Sequence, residues 1–316
     1  MKYLYVFFTS LLFLSCKSQI IDNNKTVIDS IENENQIDEL ILSIGEFKNF
    51  KIINISDFRN KDSNETPCRI IGDSLKIEKS FYKADFDLNG FTDILVSGMH
   101  YNEFTVLSIL GFKNNKYKIL KVSKKSFRDC MYYKIKLIDK VPLVEFYYYD
   151  ENQKTNKRKL ENTKYTFKYD DFIEYNDNLQ VSDIEKIEYS TSYCYGTCPV
   201  YKVLINKNKS ANLNAIDYNE SDKKTKELKG NYSTNIDFKK YNQIIDILNY
   251  IDFKNLKDKY FYNATDQPTG ILTVTYENGK TKSIEDYGKK GTNGLFILYN
   301  LFDELRFNQD WKELKL

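Results

Sequence analysis

The sequence predicts an α+β protein in which a mainly antiparallel β domain with a short helix precedes a β-β-β-α-β-β-α domain. Runs of alternating or aromatic residues, such as YYKIKLIDKVPLVEFYYYD, are typical of strands. Short polar links, KNNK within residues 102–122 and Asn278-Gly279 between two strand-like runs, indicate hairpins. Two segments, residues 37–44 and 237–251, space their apolar residues three and four apart, which predicts amphipathic helices.

The first element is an export signal. MKYLYVFFTSLLFLSC has a charged Lys2, an apolar run over residues 4–14 and then Cys16. The run is shorter than the ~20 apolar residues of a membrane-spanning helix, and its layout is that of a secretory signal. Its end, FLSC, resembles the lipobox of bacterial lipoproteins. The resemblance implies that residues 1–15 are removed and that Cys16 is acylated and anchors the chain to a membrane; the alternative is an ordinary signal peptide with an incidental cysteine.

Composition and charge set the class of the mature chain. The 316 residues are 41% hydrophobic and include 26 Tyr and 21 Phe, which is ample for packed cores. Lys and Arg number 47 against 45 Asp and Glu, a net charge of +2, so no strong field attracts the chain to nucleic acid. We predict a flexible tether at 16–36, a mainly-β domain at 37–176 and an α+β domain at 182–316.

The first domain opens with a helix and carries a possible calcium loop. Its helix rests on the spacing of apolar residues in QIDELILSIGEFKNF. In ADFDLNGFTDILVSG, Asp85, Asp87, Asn89 and Asp93 stand at positions one, three, five and nine of a calcium loop, with Gly90 at position six for the sharp turn. The element resembles the loops of integrin-type FG-GAP and VCBS repeats, which implies a structural Ca²⁺. The alternative is a β-turn built by side-chain hydrogen bonds.

Four cysteines besides Cys16 favour disulfides in an exported protein. The simplest pairing joins Cys194 to Cys198 and Cys68 to Cys130, although four cysteines allow three connectivities. For Cys68 and Cys130 the alternative is two separate buried thiols.

The Cys194–Cys198 pair favours a structural staple over redox or metal chemistry. A thioredoxin-like dithiol is C-x-x-C at a helix N-terminus, whereas this pair is C-x-x-x-C and a strand-like run follows. Zinc would need two more ligands. The segment is also similar to the metal motif of cytochrome-oxidase copper chaperones, but that family adds a downstream histidine, and this chain has only His100. Thiol-redox or copper use is therefore the alternative.

The second domain reads as three strands, a helix, a hairpin and a last helix. IEKIEYSTSY and PVYKVLINKNKSANLNAIDY predict the strands, Asp237 is the N-cap candidate of the first helix, and GLFILYNLFDELRF predicts the second. Helices on one face of a mostly antiparallel sheet follow from this order.

Three sequence elements in this domain resemble an uncharacterised domain of unknown function found in bacterial envelope lipoproteins. They are CYGTCPVYKVLI, the turn in TDQPTG and the EDYG that closes the second hairpin, and the resemblance covers residues 182–310. It implies no established activity. The matching residues are Cys194, Gly196, Cys198, Pro199, Asp266, Pro268, Thr269, Asp286, Tyr287 and Gly288.

These observations favour a non-enzymatic lipoprotein of the cell envelope, a binding or structural module for a protein, peptide or glycan. Lys17 after the lipobox cysteine, where an aspartate would indicate retention, favours the outer membrane of a Gram-negative bacterium. No Ser-His-Asp set, P-loop or dinucleotide fingerprint is present. An acid/base hydrolase built on Asp266 and Asp286 is a third hypothesis, and hydrogen bonding in turns is the simpler role for both.

Overall fold

The computed structural model of the chain describes residues 25–53, 72–101, 103–124, 129–152, 157–221 and 225–315. The predicted signal peptide, Cys16 and Cys68 lie outside these ranges, as does the side chain of Cys130. Within them, no helix has both the length and the apolar character that crossing a bilayer demands. The predicted α+β class is confirmed, since the described residues form mostly antiparallel sheets with few helices.

Two capped helices begin the described chain, α1 (Val27–Ser30) and α2 (Glu34–Ile44). Each has a capping box, in which the N-cap side chain and the third helical side chain each bind the other's backbone N–H. Ile28 and Ile31 are 0% and 3% exposed. The predicted tether at 16–36 is therefore wrong for residues 25–36, because two isolated isoleucines in a polar stretch are enough to pack it against a sheet.

The first half contains two antiparallel sheets. Sheet 1 pairs its strands in the order β1-β3-β4-β5, with β2 also on β3. Sheet 2 has the order β6-β7-β8-β9. The strands are β1 (Phe50–Ile52), β2 (Phe81–Ala84), β3 (Asp93–His100), β4 (Glu103–Phe112), β5 (Lys116–Lys121), β6 (Asp129–Ile138), β7 (Val141–Asn152), β8 (Lys157–Lys168) and β9 (Asp171–Glu174).

Sheet 1 is the middle layer of this half. Ile94 and Val96 of β3 pack with α2, whereas Leu95 between them packs with residues of sheet 2. The strand alternates its side chains between the two faces, and both faces are covered, so it reads as a continuous apolar run.

The second half is one large sheet with helices on one face. Its strand order is β14-β16-β15-β10-β11-β12-β13-β17. The strands are β10 (Ile184–Thr191), β11 (Val200–Asn206), β12 (Ser210–Asp217), β13 (Gly230–Asn235), β14 (Lys259–Tyr260), β15 (Thr269–Tyr276), β16 (Lys280–Tyr287) and β17 (Lys312–Glu313). The helices are α3 (Phe238–Tyr250), the 3₁₀ turn Phe253–Asn255 and α4 (Asn293–Leu305).

This domain has three strands beyond the predicted β-β-β-α-β-β-α order. β13 reads GNYSTN and lacks the apolar alternation that identifies a strand, while β14 and β17 are two residues long. The predicted Asp237 cap of α3 and the Asn278-Gly279 hairpin between β15 and β16 both occur.

Helix α4 also joins the two halves. The Asn293 side chain donates to the backbone oxygens of Val122 and Phe172, at 2.9 and 2.8 Å. The backbone N–H groups of Asn293 and Gly294 donate to the Glu174 carboxylate at 2.7 and 2.9 Å. A carboxylate at a helix N-terminus also complements the helix dipole, so the end of α4 is held from the other half of the chain.

Candidate functional site at the disulfide-bonded end of the large sheet

The cysteine pair forms a disulfide in the loop that connects β10 to β11. Cys194 and Cys198 are joined with their Cα atoms 5.7 Å apart. Below the loop, the Thr191 hydroxyl donates to the Pro199 carbonyl at 2.6 Å and accepts from Tyr201 N–H at 3.3 Å. The predicted local disulfide is confirmed, and strands flank it on both sides, so the pair lacks the helix N-terminus that lowers a thiol pKa in redox motifs.

The disulfide loop is hydrogen-bonded to the segment that contains the Asp-x-Pro-Thr turn. Tyr195 N–H donates to the Asp266 carbonyl at 3.2 Å. Ser192 and Thr269 bind each other twice, since Ser192 N–H donates to the Thr269 carbonyl at 3.0 Å and Thr269 N–H donates to the Ser192 hydroxyl at 2.8 Å. Two of the three sequence elements thus form one continuous surface.

The third element, Asp-Tyr-Gly at the end of β16, joins the same surface. Gly288 N–H donates to the Pro268 carbonyl at 2.9 Å, and the Tyr287 hydroxyl accepts from Gln267 N–H at 3.2 Å. Gly288 has a φ of 87°, and a Cβ there would lie 2.5 Å from Cβ of Tyr262. Both the left-handed backbone and the close approach therefore require glycine at this position.

Aromatic rings are exposed across this surface, which we call the motif edge (residues 192–199, 261–269 and 287–288). Tyr193 and Tyr195 on the disulfide loop are 56% and 88% exposed. Phe261 is 65% exposed and stacks on Tyr287 with ring centroids 5.2 Å apart and planes 13° apart. A short loop closed by a disulfide thus presents two tyrosines to solvent beside a stacked pair.

Asp266 and Asp286 occupy different environments. Asp286 is 0% exposed, and its carboxylate accepts from Lys290 N–H at 3.2 Å and Gly291 N–H at 2.8 Å. Asp266 is exposed, with a left-handed φ of 62°. Because one carboxylate is buried on backbone donors and the other faces solvent, the arrangement gives no support to an acid/base pair and agrees with hydrogen bonding in turns.

A buried polar network, which the sequence did not predict, lies behind the motif edge. The Tyr201 hydroxyl donates to Asp303 Oδ1 at 2.6 Å, and Lys289 Nζ donates to Asp303 Oδ2 at 2.8 Å. The Arg306 guanidinium lies over the Tyr201 ring at 4.8 Å. Burial, together with the Asp303 charge, holds the pKa of Tyr201 well above its ordinary value. The sequence offered only one signal for this network, the positions of two of its residues beside the motifs. Tyr201 closely follows the Cys-Pro, and Lys289 directly follows the Asp-Tyr-Gly.

Three stacked rings form the core next to this network. The Tyr189 ring stacks on Tyr299 at 5.0 Å and on Phe302 at 4.7 Å. The hydroxyls of Tyr189 and Tyr299 are buried and have no hydrogen-bond partner among the described residues. Burial is the main cause of the raised pKa of both phenols. For Tyr299, the charge of the neighbouring Asp286 carboxylate raises the pKa as well, although the two groups do not meet hydrogen-bond geometry.

The acidic loop of the first half brings its carboxylates together. Asp85, Asp87 and Asp93 each place an oxygen within 4.8 Å of the others, and the described residues contain no second such group of three His, Cys, Asp or Glu ligands. Asp93 is 0% exposed and accepts from Phe86 N–H at 2.7 Å and Gly111 N–H at 2.8 Å. Burial, opposed by the two N–H donors and aided by the charges of Asp87 and Asp85, raises the pKa of Asp93 to about 7.

The structure of the loop is compatible with both interpretations of its sequence, a calcium loop and a hydrogen-bonded turn. Asp85 and Asp87 accept from Asn89 N–H at 3.0 and 3.2 Å, and the Asn89 side chain accepts from Phe91 N–H at 2.7 Å. These are the hydrogen bonds of a side-chain-built turn. Three carboxylates at this separation are also a suitable donor set for a hard cation, so calcium binding stays a prediction.

The lone histidine and the second cysteine pair do not belong to the motif edge as defined by its residues. His100 ends β3 and packs its ring 5.1 Å from Phe47 and 4.5 Å from Tyr101. Pairing of Cys68 with Cys130 stays a prediction, because Cys68 and the Cys130 side chain lie outside the described part of the chain.

Comparison with known proteins identifies the second half only. Residues 185–306 match the family model described as Domain of unknown function (DUF6438). No curated protein and no solved structure shows significant similarity to the chain. The resemblance to an uncharacterised domain therefore agrees with this match, and the cysteine loop, the Asp-x-Pro-Thr turn and the Asp-Tyr-Gly all lie within the matched residues of this chain. The match brings no activity with it.

Proposed function

We propose that this chain is a lipid-anchored protein of the cell envelope whose C-terminal domain binds another protein or peptide through the motif edge, without catalysis. One observation carries the proposal: Tyr193 and Tyr195 are 56% and 88% exposed on a loop that is closed by a disulfide and hydrogen-bonded to its neighbour. Neighbouring exposed aromatic rings on one surface are typical of protein-interaction sites.

Tyrosine favours a protein or peptide partner. Its ring contributes a large apolar area with little rotamer entropy to lose, and its hydroxyl still finds a hydrogen bond, so tyrosine is enriched at the centres of protein interfaces. The disulfide reduces the ordering cost that a free loop would add on binding. A glycan partner is the competing outcome, and it would also use the exposed rings.

Lipid anchoring rests on the FLSC segment and has its own test. Replacing Cys16 with alanine removes the only residue of the segment that can be acylated, so we expect the protein to leave the membrane fraction and to lose labelling by a fatty-acid analogue. A Cys68→Ala variant is the matched control and should stay membrane-bound. Unchanged fractionation and labelling of Cys16→Ala would contradict the anchor.

Photo-crosslinking in intact cells tests the binding surface. A benzophenone amino acid replaces Tyr195, which is 88% exposed, and in a second strain it replaces Tyr101, which is 71% exposed on the first half. We expect a discrete adduct at position 195 that contains a second protein and is absent at position 101. The absence of any adduct at 195, or the same adducts at both positions, would contradict the proposal, and an adduct with glycan alone would replace the protein partner with a glycan.

A further inference from the structure

A concave site whose lining residues are not those of the motif edge lies beside the C-terminal half of α4. It is a cleft of about 590 Å³, within the range of small-molecule sites. Its wall combines hydrogen-bond donors, carboxylates and one aromatic ring. The residues used below are Asn300, Asp303, Glu304, Arg306, Phe307 and Asn308.

Arg306 is a preorganised donor in this wall. Its side chain is 7% exposed, Nε donates to the Asp303 carbonyl at 3.0 Å, and Nη1 donates to Asn219 Oδ1 at 3.2 Å. The guanidinium lies 4.8 Å from the Tyr201 ring centroid and 5.0 Å from that of Phe307. These contacts fix the plane of the guanidinium, which is the arrangement that makes arginine a directional donor.

One nitrogen of this guanidinium, Nη2, has no acceptor at hydrogen-bond distance among the described residues. It lies 3.9 Å from Asp303 Oδ1, and it is not one of the enclosed side-chain atoms that lack a partner. An acceptor from a ligand in the cleft could therefore replace water at Nη2.

The charges of the described residues in the cleft favour a neutral ligand. Asp303 is bound by Tyr201 and Lys289, and Glu304 is paired with Lys240 at 3.3 Å, so the carboxylates have cationic partners of their own. An anionic ligand that reached Arg306 would also meet these two carboxylates, and a cationic ligand would meet the guanidinium. Hydroxyl groups donate and accept, and they satisfy both kinds of wall group at once.

We infer that this cleft binds a neutral saccharide. Sugar hydroxyls would accept from Arg306 Nη2 and from the exposed amides of Asn300 and Asn308, and would donate to the carboxylates. The half-buried Phe307 ring supplies the apolar surface for the C–H face of a pyranose. The site is independent of the proposed partner surface, although residues next to the sequence motifs, Tyr201 and Lys289, hold its Asp303.

Binding of defined sugars to the full-length mature protein in detergent tests the inference. The probes are maltotriose and triacetylchitotriose, with the acidic trigalacturonate for comparison, measured by saturation-transfer NMR and titration calorimetry. We expect at least one neutral trisaccharide to bind and trigalacturonate to bind more weakly. Binding by neither neutral sugar, or tighter binding of trigalacturonate, would overturn the inference.

Two variants and one control locate the binding. Asn308→Ala removes an exposed amide and should weaken binding about tenfold, as expected for the loss of one to two hydrogen bonds. Arg306→Lys keeps the charge but loses the fixed donor, and a similar loss is expected. Asn214→Ala, an exposed asparagine on β12, should bind as the parent does. Unchanged sugar affinity of Asn308→Ala would overturn the assignment of the cleft as the sugar site, even if Arg306→Lys fails to fold. Tyr195→Ala should leave sugar binding unchanged, whatever its effect on binding of the proposed protein partner at the motif edge.

Discussion

Two buried aspartates, one in each half of the molecule, perform the same local task in opposite surroundings. Asp93 and Asp286 are both 0% exposed, and each accepts hydrogen bonds from two backbone N–H groups. Asp93 shares its site with Asp85 and Asp87, whereas Asp286 lies among tyrosines. The comparison teaches that the number of backbone donors does not determine the role of a buried carboxylate. The neighbouring charges determine whether a bound cation would stabilise it.

Replacing each aspartate with asparagine should give the largest difference between the two sites, measured as the loss in the free energy of unfolding. Asp286→Asn leaves one of the two N–H donors without a carboxylate oxygen, so we expect a loss of about 3 kcal/mol in the free energy of unfolding. Asp93→Asn loses a similar bond but removes a charge from a carboxylate cluster, so its loss should be smaller. Urea denaturation measures both values, and equal losses, or a larger loss for Asp93→Asn, would contradict the comparison.

Calcium should act on the first region only. Bound Ca²⁺ would stabilise the folded protein by about 2.7 kcal/mol at a hundred times its dissociation constant. We therefore expect the melting temperature to fall on adding EDTA and to recover with excess Ca²⁺ in the parent and in Asp286→Asn, but to be insensitive in Asp93→Asn. If EDTA and Ca²⁺ do not change the melting temperature of the parent, calcium binding is contradicted and the loop is a hydrogen-bonded turn without an ion.

The disulfide should stabilise the second region by a smaller amount. The Cys194–Cys198 loop is short, and the chain-entropy model gives about 2 kcal/mol for closing five residues. Cys194→Ser/Cys198→Ser should lose this much and remain folded. Mass spectrometry of the protein alkylated at cell lysis checks the oxidation state: the peptide should be two hydrogen atoms lighter than its reduced form and unalkylated. Free thiols there would favour the redox or copper alternative.

Loss of one phenol in the buried network should have the smallest effect. Tyr201→Phe removes the bond to Asp303 and should cost about 1.5 kcal/mol at neutral pH. Because the folded-state pKa of Tyr201 is raised, the unfolded chain loses this proton first as pH rises above about 10, so stability is retained below that pH and falls above it. Stability curves against pH should therefore fall less steeply for Tyr201→Phe, and identical slopes would contradict the buried-phenol assignment.

Local patterns in the sequence predicted the hairpins, the helices and the cysteine loop because each depends on neighbouring residues. The helix from Asp237, the Asn278-Gly279 turn and the Cys194–Cys198 pair are of this kind. β13 was missed because a polar strand depends on the strands it pairs with, here β12 and β17, and not on its own periodicity.

The positions of polar side chains in space were the part that the sequence did not supply. Asp266 and Asp286 stand twenty residues apart near matching turns, yet one faces solvent and the other is buried. Asp303 meets Tyr201 across 102 residues, and only the packing of α4 on the sheet brings the two together. Contacts at such separations leave no periodic signal in a single sequence.

The most direct test of the central claim is the crosslinking yield at position 195 in two backgrounds, the parent and Cys194→Ser/Cys198→Ser. If the disulfide holds the tyrosines of the motif edge in the shape that a partner recognises, the adduct at position 195 should be lost or strongly reduced in the serine background, while the melting transition remains cooperative. An undiminished adduct in the folded serine variant would contradict the claim that the disulfide maintains a binding surface.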